Sequence, residues 1–145
     1  MDLLLRPLAL AAVATLALND HVLKPWLHNA LTGKLSDVAG CFVLPLFVAA
    51  VLDALGVRAP RLRLGVGAIA TLVFFTALKG SPVVASRVSE VLAGAWHVIG
   101  QRGGPILADP TDLLALPAIG AAWVWGLTQS GPAPAAKVSG GASCV

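Results

Sequence analysis

Three groups of residues in this 145-residue chain have the types and spacing that chemistry needs. The first is Thr32-Gly33-Lys34-Leu35-Ser36-Asp37, just before an apolar run, and the second is Asp109-Pro110-Thr111-Asp112, just before another. Each sets a hydroxyl residue and an Asp where an apolar helix should begin. Ser36 and Thr111 can then cap, and Asp37 and Asp112 suit the positive end of a helix dipole. The alternative is a shared site in which Asp37 and Asp112 face each other with Lys34 nearby. The third group is His21, Lys24 and His28, at i, i+3 and i+7 on one helical face. Two His on a helix chelate zinc best at i, i+4. At i, i+7 they stand roughly 10 Å apart by helix rise and do not clamp one metal. A polar stripe at a membrane interface is the plainer reading, with Lys24 able to meet a lipid phosphate.

The candidate polar site is therefore Lys34, Asp37, Asp109, Asp112, His21 and Lys24, with no catalytic role assigned, no cofactor and no metal. Nothing in the chain has the order of a Ser-His-Asp triad, a P-loop or a dinucleotide-binding loop. The two cysteines, Cys41 and Cys144, lie far apart in sequence and lack zinc spacing, so both are expected to be free thiols.

Most of the polar candidates fall in one block, Asn19 to Asp37, which holds four of the 17 charged residues and two of the three His. The rest of the chain explains why that matters. It is 57% hydrophobic and 12% charged, against about 25% charged in an ordinary soluble domain. Its mean hydropathy is +0.85. A small soluble fold cannot hide so much apolar surface, so the expected class is all-α, a polytopic helical membrane protein. The net charge of +3 is small and scattered; it suits membrane lipids as partners and no nucleic acid. High Ala, Val, Leu, Gly and Arg usage is that of a GC-rich bacterium.

About four transmembrane helices are expected. The first apolar run is Leu3 to Leu18, read as a retained helix and not a cleaved leader, because Val22, Leu23, Trp26, Leu27, Ala30 and Leu31 carry its periodicity onward. The second is Val38 to Gly56, containing Pro45 and Asp53. The third is about Leu62 to Leu78, with Gly65, Gly67 and Ala68 for close packing. The fourth is Leu113 to Leu127, with Trp123 and Trp125 as interface anchors. A full span needs roughly 20 residues, so the first, third and fourth must be extended by their flanks. Between the third and fourth lies one amphipathic interfacial helix, Ser81 to Gly100. Val83, Val84, Val88, Val91, Leu92, Ala95, Val98 and Ile99 form its apolar face, Ser81 its N-cap, and Arg87 and Glu90 a weak pair; His97 is a tolerated polar residue. Residues 1–129 make one helical membrane domain, and 130–145 a Gly/Ala/Ser/Pro-rich tail expected to be disordered.

The loop Arg58 to Arg63 has three Arg in six residues. The positive-inside rule then places it, and both termini, in the cytoplasm. Asp53 is expected to pair locally with Arg58, or else to serve as a proton-relay carboxylate. The two Asp motifs would face outward together. Ser-Asp-Val-Ala-Gly and Thr-Asp-Leu-Leu-Ala also make a faint internal repeat.

Around the polar block, Lys34-Leu-Ser-Asp37-Val-Ala-Gly40 resembles the VanZ-like family of small bacterial membrane proteins: a basic residue a few positions before an Asp, then a Gly-containing apolar helix. Asn19 and His21 stand where that family carries polar residues on the preceding helix. The resemblance covers about 20 residues, and the Asn that usually follows the family's Asp is missing here. It implies a role in the cell envelope and no particular reaction. The leading expectation is a non-enzymatic accessory protein or a subunit of a larger inner-membrane complex, with homo-oligomers also possible. The others are an envelope enzyme or lipid-binding protein with an outward polar pocket, or a small ion or proton conductor.

Overall fold

The computed structural model describes residues 3–23, 26, 30–98, 106 and 108–130. The described residues form helices joined by turns and short non-helical links, with no strand among them. Helix α1 is Pro7–Leu18, followed by a π-helical turn, Asn19–Leu23. Helix α2 is Ala30–Ala54, α3 is Pro60–Gly80 and α4 is Pro82–Val98. A 3-10 turn, Pro110–Ala115, runs directly into α5, Pro117–Gln129. Pro opens α1, α3, α4 and α5, where its missing N–H has no helical partner to lose.

Three helical stretches are long and apolar enough to cross a membrane: Thr32–Ala54, Pro60–Gly80 and Pro110–Gln129. The N-terminal element, Pro7–Leu23, is apolar but shorter. The expected tail, apart from Ser130, lies outside the described residues, as do Cys144, Lys24 and His28.

The second helix starts earlier than its apolar run suggested. Gly33 reads as a turn, yet Thr32 to Asp37 lies inside α2. Gly33 meets no neighbour that would expel it, and the polar side chains around it find partners on other elements. Ser36 therefore does not cap a helix. At the other end, Gly56 at φ +88 closes α2: its N–H donates to the Asp53 carbonyl, and the Val57 N–H donates to the Leu52 carbonyl. This is the double bond of a Schellman motif, with Gly in the left-handed position. Pro60 then starts α3 four residues on.

Helices α2 and α3 form an antiparallel hairpin, with α1 against α2 and α5 against both. One buried cluster, Ala9, Leu46, Ala49, Leu64 and Ala122, lies toward the Arg-rich end. The other, Cys41, Phe75, Ala115 and Ile119, lies toward the end where the candidate site forms. Where α2 and α3 cross, Gly67 stands directly against the Pro45 carbonyl, so a Cα–H meets a backbone oxygen with no side chain between. Of the two glycines expected to allow close packing, only Gly67 does so; Gly65 has open space where a Cβ would be.

After α3 the backbone at Ser81 is extended, and α4 leads away to pack on α3. The Ser81 hydroxyl accepts the Val84 N–H, as an N-cap should. The apolar face of α4 is split: Ala85 is buried and Val88 half-buried, but Val83 and Val91 are 69% and 74% exposed. Ser89, on the same side as Ala85, is half-buried, and its hydroxyl accepts the Ile106 N–H at 2.9 Å. Trp125 also differs from the expectation of a simple interface anchor, because its ring packs on Phe42 with centroids 5.8 Å apart.

Candidate functional site

The polar ends of α1, α2, α3 and the 3-10 turn come together at one end of the bundle. Its centre is Lys79, in the last turn of α3 and buried. The Lys79 Nζ donates to Asp37 Oδ2 at 2.9 Å and to Asp112 Oδ2 at 2.7 Å. Lys34 donates to the Thr111 hydroxyl at 2.7 Å and to Asp112 Oδ1 at 3.3 Å. Asp112 thus accepts from both lysines, one on each oxygen. The Phe75 ring, one turn before Lys79, lies 5.7 Å from its ammonium and adds a cation–π contact.

The spacing of these residues explains the convergence. Asp37 sits near the start of α2 and Lys79 at the end of its antiparallel partner α3, so the hairpin brings both to the same level. Asp112 lies in the first turn of the 3-10 segment, which enters the bundle from that same side. Three elements are tied through one ammonium. Two lysines face two aspartates, so the network is compensated: its charges sum to zero.

Beside it, Asn19 is completely buried at the end of α1. Its amide nitrogen donates to the Thr32 carbonyl and to the Ser36 hydroxyl, each at 2.6 Å. This is what fixes the end of α1 onto α2, and it is why Thr32 and Ser36 can sit within a helix. The Asn19 Oδ1 is buried and lacks a hydrogen-bond partner among the described residues.

Other candidates are placed differently. Asp109, not Thr111, caps the 3-10 turn: its Oδ1 accepts the Thr111 N–H at 2.9 Å. That donated N–H holds the Asp109 carboxyl below the ordinary carboxylate range. Asp37 is no cap either, because α2 begins seven residues before it. His21 is exposed on the π-helical turn and His97 exposed on α4. Among the described residues no group of three or more His, Cys, Asp or Glu is arranged to hold a metal ion. Cys41 is buried in the second core cluster.

Asp53 lies at the opposite end of the bundle. It pairs with Arg63 across the hairpin, because the Gly56 turn brings the first turn of α3 back over the end of α2. With 39% of its side chain exposed, such a pair is worth little; Asp53→Asn is expected to lower stability in a detergent melt by no more than about 1 kcal/mol. Arg87 and Glu90 do pair, at 3.3 Å, but both are exposed.

No protein-family model matches this chain, and no curated protein or solved structure matches it. Sequence reasoning missed Lys79, which looks like an ordinary charge ending an apolar run. Its signal was its isolation: a Lys between Leu78 and Gly80, with no other charge between Arg63 and Arg87.

Proposed function

We propose that this chain is a small integral membrane protein of the bacterial cell envelope, and that it serves as a non-enzymatic accessory protein or subunit of a membrane complex. The observation that carries the membrane part is the distribution of surface. Large apolar side chains such as Phe47, Ile69, Val73 and Val124 point outward from the middle of the long helices, while the ion pairs gather at the two ends. Only 33%, 28% and 22% of the three long apolar windows are buried inside the bundle. A fold in water would leave that surface wet; hydrocarbon would cover it. In this reading the N-terminal element joins the three long helices as a fourth, short membrane segment. The Arg58–Arg63 end faces the cytoplasm, and α4 lies along the interface with Val83 and Val91 toward lipid.

The accessory role is supported by the closure of the polar network. A general acid, base or nucleophile needs a group with room and charge to spare, whereas Lys79, Asp37 and Asp112 are spent on one another and Lys34 gives two of its three N–H donors to Thr111 and Asp112. Asp53, paired with Arg63 at the far end, does not line up with Asp37 as a conducting path. The likeness of Lys34–Gly40 to VanZ-like proteins agrees with an envelope setting.

The test has two stages. The chain should stay in the membrane pellet after alkaline carbonate washing and need detergent for release; recovery in the supernatant overturns the membrane reading. Purified from native membranes in a mild detergent, it should bring a stoichiometric partner. A chain that purifies alone, and whose absence changes no envelope complex, overturns the accessory role.

A further inference from the structure

On the face of α2 opposite α3 runs an apolar groove of about 610 Å³. Helix α2 is its floor, through Leu35 and Phe42; α1 is one wall, through Ala11 and Thr15, and the 3-10 turn with α5 is the other, through Leu114 and Ala118. Among the described residues the two walls do not pack on each other, so the groove is open along its length. Each helix contributes about two turns, making a channel roughly 10 Å long. Its one hydroxyl, on Thr15, donates to the Ala11 carbonyl at 2.8 Å and asks for nothing from an occupant.

Polar residues adjoin one end of the groove. Leu35 follows Lys34, and Leu114 lies in the 3-10 turn that Asp109 caps and that holds Thr111. Lys34, with 37% of its side chain exposed, reaches from α2 to the Thr111 hydroxyl. Asp109, exposed, holds the Thr111 N–H. A cation and an anion thus flank Thr111, above a channel that wants hydrocarbon. That pair complements a head that carries a phosphate and an ammonium, and is a poor match for a purely anionic one.

We propose that this groove binds a phospholipid with an ethanolamine head, its acyl chain along α2, its phosphate at Lys34 and its ammonium at Asp109. The proposal rests on the membrane reading above.

The full chain is reconstituted in phosphatidylcholine vesicles with trace spin-labelled phosphatidylethanolamine or phosphatidylglycerol, and the motionally restricted fraction of each label is measured. The ethanolamine lipid is expected to be favoured by about threefold, the scale of one partly exposed charge pair. Ala118→Phe should fill the groove and bring both labels to the same fraction. Asp109→Asn, whose side-chain oxygen can still accept the Thr111 N–H, should abolish the preference for the ethanolamine lipid. Equal restriction of both labels, unchanged by either variant, overturns the proposal and leaves ordinary boundary lipid. A disulfide between two copies carrying Ala118→Cys in a background lacking Cys41 and Cys144 overturns it in favour of a second copy as occupant. A chain that fails to float with the vesicles overturns the membrane reading first, so the two failures are distinct.

Discussion

Replacing Lys79 with Met should cost about 3–5 kcal/mol of stability, the range found when one partner of a buried ion pair is removed. The methionine fills the space of the aliphatic stem, so what is lost is the ammonium. Asp112 keeps Lys34, but Asp37 loses the ammonium that compensates it, and its carboxylate has only 17% of its surface exposed. The loss is therefore expected to concentrate on Asp37. Lys79→Met with Asp37→Asn should recover most of the melting temperature in detergent, because a neutral amide there no longer needs a cation. Adding Asp112→Asn should change little more; Lys34, freed by it, is partly exposed and easily hydrated. Asp37→Asn alone should cost less than Lys79→Met, since Lys79 retains Asp112. A Lys79→Met protein that melts with the wild type would show that the network does not hold the helix ends. Equal losses from Lys79→Met with and without Asp37→Asn would show that the lysine acts through packing and not through charge. The same set separates structure from function: if the restored double variant is abundant yet inactive in the cell, the charges have work beyond holding the fold.

The end of the bundle where this network forms was partly legible in the sequence. An Asp near the start of one apolar run and another near the start of a second must lie at one level if the runs alternate in direction, and Lys34 comes with the first. What the pattern could not supply was the third helix's contribution. Lys79 ends a run in the way any interfacial lysine does, and only the packing of α3 between α2 and the 3-10 turn turns it inward. The reading of Ser36 and Thr111 as caps failed for a related reason. A cap is inferred from the place where polarity gives way to an apolar run, but α2 continues through its polar stretch because Asn19, brought over by the end of α1, donates to the Thr32 carbonyl and the Ser36 hydroxyl there. Capping at the 3-10 turn fell to Asp109, two residues before Thr111, because the Pro110 between them favours a helical start there. Asp53 shows the same limit at the other end. It meets Arg63, a turn beyond the Arg nearest to it in sequence, because the Gly56 turn folds α3 back over the end of α2. Helices and their approximate bounds follow from composition and periodicity; the partners of each charge follow from turns and crossings.

Gly67→Ala should be the most damaging single-methyl change in the chain. A Cβ there would overlap the Pro45 carbonyl, a backbone group that cannot swing aside as a side chain can. Relief requires α2 and α3 to separate, and their separation reaches further than one contact: Thr71, buried in the next turn, donates to the Gly67 carbonyl at 2.8 Å, and Lys79 at the end of the same helix must still meet Asp37. Overpacking of this kind typically costs about 1–3 kcal/mol, occasionally more, and the upper end is expected here because the obstacle is backbone. Two neighbours provide internal controls. Gly65→Ala, two residues earlier, meets nothing within 4 Å; it should be neutral or stabilise by up to about 1 kcal/mol, the usual gain when Ala replaces a helical Gly. Gly126→Ala meets the Leu64 Cδ2 at 2.6 Å, a side-chain end that can rotate, so it should fall between the two. The order Gly67 worst, Gly126 intermediate and Gly65 harmless, read as melting temperatures in one detergent, tests the crossing directly. A Gly67→Ala protein as stable as Gly65→Ala would mean that α2 and α3 do not cross at Pro45. The antiparallel hairpin that brings Asp37 to Lys79 would then need another geometry.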